Sequence, residues 1–266
     1  MLILTSPHFK KKVRQIIFFP IFFSPIISYL SLVGLLLSGC SFFVNQRGLK
    51  EISLPPASIK TISGYFSFRL DRDGSIVRGK ALLWLDSTSG RLEIRDPVGR
   101  LVLVSFWTKH LEWLIIPAER AYWSGRQGQA KLMAELIAIP LEPVEIIAWI
   151  IREGKGLETL AESVRLDWAI KGREVNSDWQ VEWDEEGKLK KGCKGDLKIE
   201  IQELTKNKNV TRLLSFSHPK VKGKLTVLAL NFNQPLLPDY FRADKLINSE
   251  YQALSWEQIK SRLKIN

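Results

Sequence analysis

Residues 91–107 read RLEIRDPVGRLVLVSFW, and this stretch decides the class of fold. Its first five residues alternate between charged and apolar, as in a strand with one covered face. Asp96-Pro97-Val98-Gly99 consists of turn-forming residues. Arg100–Trp107 is apolar at almost every position, which is typical of a strand covered on both faces. The stretch therefore predicts two antiparallel strands joined by a tight turn.

The same pattern extends in both directions from this hairpin. Alternating or apolar runs are separated by turn residues, which predicts a meander of antiparallel strands. The predicted strands are Ile62–Leu70, Ser75–Asp86, Arg91–Arg95, Arg100–Trp107, His110–Ile116, Ala121–Trp123, Val164–Ile170, Trp179–Trp183, Leu197–Ile201, Thr211–Phe216 and Leu225–Phe232. A sheet of about ten to eleven strands tends to curl or close rather than stay flat.

A helical pair interrupts the strands at residues 127–152. In Gln127–Ile139 the apolar residues recur at helical spacing, and the run stops at Pro140. Pro143–Arg152 is apolar almost all round, so this second helix must be buried on more than one side. We predict an α+β protein, mainly β, in which the two helices cover the sheet.

The C-terminal residues 235–266 depart from the strand pattern. Pro235 and Pro238 break it, and apolar residues then recur at helical spacing. Ser255 with Gln258 three positions later predicts a capped helix. We expect a helical extension that either packs on the sheet or reaches outward.

The first 39 residues have the features of a lipoprotein signal peptide. Cations at Lys10 to Lys12 and Arg14 precede an uncharged apolar run, Ile16–Leu37. Leu37-Ser38-Gly39-Cys40 then forms a lipobox, in which the thiol of Cys40 can take a diacylglycerol through a thioether. We predict cleavage before Cys40 and a lipidated tether over residues 40–60. The alternative is an uncleaved transmembrane anchor, because the 22 residues from 16 to 37 could cross a bilayer.

Charge and motifs narrow the function classes. The formal charge is +11, of which the leader holds four cations and no acid, so +7 remains beyond it. That charge suits an anionic membrane surface or an acidic partner, and it is also an ordinary composition. His110 and His218 have no metal-ligand spacing, and no phosphate-binding loop or nucleophile elbow occurs. We predict a protein that is not an enzyme and has no cofactor, no metal and no nucleic-acid partner. If Cys40 is lipidated, Cys193 is left in a basic turn as an incidental surface thiol.

Three features over about residues 61–232 resemble one family. They are the strand with Gly64-Tyr65-Phe66-Ser67-Phe68 and its longer successor with Gly79 and Trp84, the Asp96–Gly99 turn, and the helical pair. In the helical pair, Met133 and the Ile139-Pro140-Leu141 junction precede Leu141-Glu142-Pro143-Val144, which opens a helix with Trp149 and Ile150. The chain resembles LolB-like outer-membrane lipoproteins of the LolA/LolB lipoprotein-localisation family.

The resemblance implies an incomplete antiparallel barrel with a helical lid over residues 61–234. In that family the hollow holds the acyl chains of a travelling lipoprotein, received from a periplasmic LolA-like carrier and released into the outer membrane. The family's protruding turn carries an exposed apolar residue at the position of Val98, so Pro97, Val98 and Gly99 become the expected membrane-contact loop. The implied location is the outer membrane, lipid-anchored and facing the periplasm, as a monomer.

The expected cavity residues are apolar side chains of the strands and of the two helices. They are Phe66, Phe68, Trp84, Phe106, Met133, Leu136, Ile147, Trp149 and Ile150. The same residue types are more often part of an ordinary packed core. Two alternatives to lipoprotein insertion therefore stay open: a lipoprotein of this fold that binds another lipid or hydrophobic ligand, and a structural or assembly lipoprotein with a filled barrel.

Overall fold

An antiparallel meander begins at Ile62 in the computed structural model. The structure describes residues 51–126, 141, 143–152, 179–206 and 208–263. The ten predicted strands within these ranges are confirmed, and Val164–Ile170 lies outside them. The strands are β1 (Ile62–Arg72), β2 (Ser75–Leu85), β3 (Ser89–Arg95), β4 (Leu101–Thr108), β5 (Leu111–Ile116), β6 (Ala121–Arg126), β7 (Trp179–Trp183), β8 (Leu189–Lys194), β9 (Leu197–Leu204), β10 (Thr211–His218), β11 (Val221–Phe232) and β12 (Gln252–Ala253).

All twelve strands form one sheet in the order β12-β6-β5-β4-β3-β2-β1-β11-β10-β9-β8-β7. Neighbouring strands are antiparallel except for β12 and β6, which are parallel. Among the described strands, β12 and β7 end the sheet without pairing to each other, so the sheet is open. The expectation of a mainly β fold with an incomplete barrel is confirmed at this level.

Two α-helices lie within the described ranges, α1 (Pro143–Ile151) and α2 (Trp256–Arg262). Helix α1 confirms the second predicted helix, whereas Gln127–Ile139 lies outside the described residues. Helix α2 begins with the predicted capping box, in which the Ser255 side chain accepts from the Gln258 amide. Short 3₁₀ helices occupy Pro117–Glu119, Pro238–Phe241 and Ala243–Lys245. No described helix is both long enough and apolar enough to cross a membrane.

The prediction of a basic turn around Cys193 was wrong, because residues 189–194 form strand β8. Its residues Lys191 to Lys194 pair with β9, and the actual turn follows at Gly195. Contact with α1 is the physical reason for a glycine, Gly192, inside strand β8. A Cβ atom there would come within 2.8 Å of the Trp149 ring, so the strand needs glycine where α1 crosses it.

Each face of the sheet is covered differently. We call the face under α1 the inner face. It carries the main apolar cluster, which includes Phe66, Leu83, Trp149 and Val227. Residues paired across strands lie on the same face. Leu92 pairs with Ser105, and Ser105 pairs with Leu114, so these three residues continue the inner face toward β6.

The C-terminal residues 238–263 wrap around the β6 edge, and we call them the C-terminal clasp. On the outer face, Tyr240 stacks on Trp84 with ring centroids 5.6 Å apart. Strand β12 then pairs with β6, and α2 packs on the inner face, where Ile259 is fully buried and Trp256 lies against Trp123. The extension is thus only partly helical, and it packs on the sheet.

Every described residue belongs to one compact unit, Gly48–Asn266, whose core is formed from its own strands and helices. A segment with its own hydrophobic core has what it needs to fold alone. This unit is therefore suitable for measurements in solution, and we call it the soluble unit.

Candidate functional site

Helix α1 is fixed over strands β7 to β10 by buried polar contacts. The Thr211 hydroxyl donates to the carbonyl oxygen of Trp149 at 2.9 Å. The carboxylate of Glu145, a residue only 5% exposed, accepts from Trp179 Nε1 and from Lys194 Nζ, each at 2.9 Å. Buried polar groups need such partners, so these bonds set the position of the helix over this half of the sheet.

Arg152 locks the C-terminal end of α1. Its backbone is left-handed, with φ of 60°, and its buried guanidinium donates to the carbonyls of Leu189 at 3.2 Å and Lys208 at 2.9 Å. It also forms a salt bridge with Asp184. Burial acts to raise the pKa of Asp184, but the backbone amide of Lys188 and the Arg152 guanidinium outweigh it and hold that pKa below its ordinary value.

An apolar hollow lies beside this fixed helix, on the inner face near β1 to β3, β10 and β11. Its volume is about 130 Å³. The described residues that line it are all apolar. The sheet contributes Phe66, Phe68, Leu70, Ala81, Leu83, Leu92, Ile94, Leu214, Phe216 and Leu225, and the α1 region contributes Leu141, Pro143 and Ile146.

The size of the hollow limits what it can hold. Apolar cavities of about 150 Å³ stay dry and take up small apolar molecules such as benzene. The hollow is therefore of a size for a short segment of an acyl chain, and it is smaller than the roughly 300–1,000 Å³ of typical ligand pockets. A longer chain requires α1 to shift or the chain to extend out of the hollow.

The structure brings together only some of the expected cavity residues. Phe66 and Phe68 line the hollow. Ile147, Trp149 and Ile150 are fully buried in the same apolar cluster, with Trp149 packed on Trp179 at a centroid distance of 5.2 Å. They form the packed base of α1, while Pro143 and Ile146 are its residues at the hollow.

Trp84 and Phe106 lie on the outer face of the sheet. Each pairs with Arg91 in register, and Phe106 belongs to the cluster under the C-terminal clasp. They are therefore separated from Phe66 and Phe68 by the thickness of the sheet. Met133, Leu136 and Cys40 lie outside the described residues.

The sequence analysis did not predict every residue that lines the hollow. Leu70, Ala81 and Leu225 line it, although nothing in their local composition distinguishes them. The available signal was the alternation of β1: since Phe66 and Phe68 point inward, Leu70 must as well, together with the residues paired to them.

The Asp96–Gly99 turn presents Val98 to solvent. Val98 is 78% exposed, and Gly99 adopts a φ of 94° that favours glycine. Asp96 accepts from the Arg100 amide at 2.9 Å and from Arg100 Nε at 2.6 Å. Desolvation acts to raise the pKa of Asp96, but these hydrogen bonds outweigh it and lower that pKa. The turn is thus internally braced and holds one apolar side chain outward.

The described part of the chain contains one free cysteine and no cluster of metal-ligating side chains. No group of three or more His, Cys, Asp or Glu side chains there could hold a metal ion. Cys193 is a free, half-buried thiol on β8, with its sulfur 3.6 Å from Gln180 Oε1.

Comparisons with known proteins find distant structural likenesses. No protein-family model matches, and no curated protein matches. The fold is similar to a DUF1329 family protein from Desulfovibrio piger (TM-score 0.41, 12% identity, 71% of this chain and 92% of that chain). It is also similar to an outer membrane lipoprotein-sorting protein domain from Vibrio parahaemolyticus (TM-score 0.43, 9% identity, 71% of this chain and 92% of that chain). A third similar structure is a LolA superfamily protein from Nitrosomonas europaea (TM-score 0.40, 8% identity, 72% of this chain and 93% of that chain). At these scores and identities, the likenesses assign no family and no function to the chain.

Proposed function

We propose that this protein is a lipid-anchored acceptor that binds acyl chains in the hollow and inserts lipoproteins into the outer membrane. The observation that carries the proposal is a hollow whose described lining is entirely apolar. The predicted lipobox Leu37-Ser38-Gly39-Cys40 supports the anchoring. Cys40 supplies the anchor, a periplasmic LolA-like carrier supplies the cargo, and the protein faces the periplasm.

Binding and release need no catalytic group. Each methylene buried contributes about 0.8 kcal/mol, and each 1.4 kcal/mol changes a binding constant tenfold. Two additional buried methylenes therefore suffice to favour this hollow over the donor's site. A bilayer buries the whole acyl chain, so transfer out of a small hollow into the membrane is favourable in turn.

Val98 has the role of touching the outer membrane during release. It is the most exposed large apolar side chain among the described residues, and its turn is braced by the hydrogen bond from the Arg100 amide to Asp96. An apolar residue at the tip of a turn can enter the bilayer interface at little cost.

The first test is uptake of a fluorescent hydrophobic dye, such as N-phenyl-1-naphthylamine, by the soluble unit. Ala81 lines the hollow, so Ala81→Leu fills part of it and should weaken dye binding about tenfold. Ala229→Leu is the matched control, because Ala229 is buried but does not line the hollow. Equal dye binding by both variants and the unmodified unit would remove the hollow from the proposal.

The second test addresses the turn. Val98→Glu should leave dye uptake and folding unchanged but slow the delivery of a fluorescent triacylated lipopeptide to liposomes. Leu111→Glu is the control, since Leu111 is 44% exposed at the opposite end of the sheet. Unchanged delivery by Val98→Glu would remove Val98 from the mechanism.

A structural lipoprotein remains the second candidate, because the β4 to β6 half of the sheet is filled on both faces. On that proposal the soluble unit takes up no dye, and it purifies free of lipid. The same fold binding a different hydrophobic ligand would instead show dye uptake without lipopeptide delivery.

A further inference from the structure

Five exposed cations gather on the outer face at one end of the sheet. In register, Arg69 of β1 stands between Arg78 of β2 and Lys224 of β11. Lys222 and Lys198 continue the group across β11, β10 and β9, each paired with Ser217 between them. All five side chains are exposed. We call these residues the basic face.

Such an arrangement opposes folding. Like charges directly opposite each other on neighbouring strands are destabilising. None of the salt bridges formed by the described residues includes any of these five cations. Asp71 pairs in register with Lys222, and Glu200 lies two positions from Lys198 on β9, so two carboxylates stand among five cations and leave a net positive charge. The basic face therefore attracts an external anion.

The surface has room for that anion. A basin of about 500 Å³ lies over these strands. Four cations line it, Arg69, Lys198, Lys222 and Lys224, together with the carboxylates of Asp71 and Glu200 and with Ser215 and Ser217. Lysine and arginine side chains are suitable donors to phosphate oxygens, whereas the Ser215 hydroxyl already donates to the carbonyl of Glu200 at 3.3 Å. Several headgroup phosphates could thus be bound side by side.

The neighbouring apolar residues indicate the kind of anion. In the antiparallel meander, the β1–β2 and β3–β4 turns lie at the same end of the sheet. Ile76 and Val77 are 47% and 49% exposed beside the first turn, and Val98 is 78% exposed in the second. Exposed apolar tips next to cations suit a membrane surface, whereas a soluble acidic protein needs only the cations.

This end of the sheet also adjoins the hollow. Val77 pairs with Leu70, which lines the hollow. Apolar side chains therefore continue from the hollow to the exposed tip of the β1–β2 hairpin. A bilayer touching this end would meet both the apolar tips and the hollow.

We propose that the basic face and the apolar tips Ile76, Val77 and Val98 form a docking surface for the phosphate headgroups of an anionic bilayer. The cations bind headgroups while the three apolar tips enter the interface. The biological role of the docking surface rests on the proposed function. The binding of headgroups does not, because it does not require the hollow to hold a ligand.

The test is co-sedimentation of the soluble unit with phosphatidylcholine vesicles, with or without an equal share of phosphatidylglycerol. Binding should require phosphatidylglycerol and weaken at high salt. Replacing Lys222 and Lys224 by Ala should weaken it roughly 25-fold, at about fivefold for each charge. Lys109→Ala with Lys206→Ala removes the same charge from the opposite end and should change binding by less than about twofold.

Three outcomes would overturn the docking surface. They are equal binding to vesicles without phosphatidylglycerol, equal losses in both double variants, and binding to soluble polyglutamate but not to vesicles. Circular dichroism of the same protein preparations without vesicles shows that each variant is folded, and dye uptake by those preparations tests the hollow separately. If the unmodified unit binds vesicles but takes up no dye, the proposed function is refuted and the docking surface is not.

Discussion

Two halves of one sheet are covered in contrasting ways. Over strands β4 to β6, the C-terminal clasp packs on both faces and contributes to two apolar clusters. Over β1 to β3, β10 and β11, the inner face is covered by α1, which is fixed toward β7 to β10 and leaves the hollow. The two halves therefore differ in which segments cover them and in where those segments are anchored.

The anchoring of α1 therefore decides whether the hollow exists. Trp149 is fully buried, packs on Trp179, and occupies the space that Gly192 leaves free. We expect Trp149→Ala to lower the free energy of unfolding by about 3–5 kcal/mol, measured by urea denaturation of the soluble unit. This is the largest effect among our predictions.

A matched variant tests whether the loss comes from this anchor. Trp113→Ala removes the same side chain from the outer face of β5, where Trp113 is only half-buried. It should cost less stability and leave dye uptake intact. If Trp149→Ala keeps full dye affinity, α1 does not shape the hollow.

A pair of leucines compares the two halves directly. Leu114 is fully buried under the clasp, and Leu83 is 3% exposed but borders the hollow. A side chain next to a void makes fewer contacts. We expect Leu114→Ala to cost about 3–4 kcal/mol and Leu83→Ala about 2 kcal/mol in urea denaturation. Leu83→Ala should also strengthen dye binding, because it enlarges the hollow; equal costs with unchanged dye binding would show that the two halves are packed alike.

Local patterns predicted much of this sheet, because strand alternation and turn residues act over a few positions. The run Arg100–Trp107 indicated cover on both faces, and Leu103 to Trp107 are indeed all buried. What covers the outer face could not be predicted locally. Arg91 donates to the carbonyl of Tyr240, which lies 149 positions away in the chain.

The candidate site was harder to predict for the same reason. Alternation shows that Trp84 and Leu83 point to opposite faces, but it does not show which face is beneath the helix. Strand β8 was missed because its lysines and glycine have low strand propensity, and its need for Gly192 comes from a tryptophan on α1. Tertiary contacts thus decided both the missed strand and the face on which Trp84 and Phe106 lie.

Acid should affect the half with the hollow through the ion pair at the end of α1. The folded-state pKa of Asp184 is below its ordinary value, so this carboxylate contributes stability above its unfolded pKa of about 3.9. That contribution is lost as the pH falls through the lowered folded-state pKa. Asp184→Asn removes the charged partner of buried Arg152 and should cost about 1–2 kcal/mol at neutral pH.

The difference in unfolding free energy between the unmodified protein and Asp184→Asn isolates the Asp184–Arg152 pair from the other carboxylates. It should be constant between about pH 5 and 7 and shrink below about pH 4, as Asp184 becomes protonated in the unmodified protein. Asp244→Asn, at an exposed pair with Arg242 in the clasp, is the control and should cost less. Urea denaturation across this pH range, with hydrogen exchange of α1 and α2 amides, measures both effects. A difference that stays constant through acid would mean that Asp184 does not hold α1, and that the filled and hollow halves are anchored independently of this ion pair.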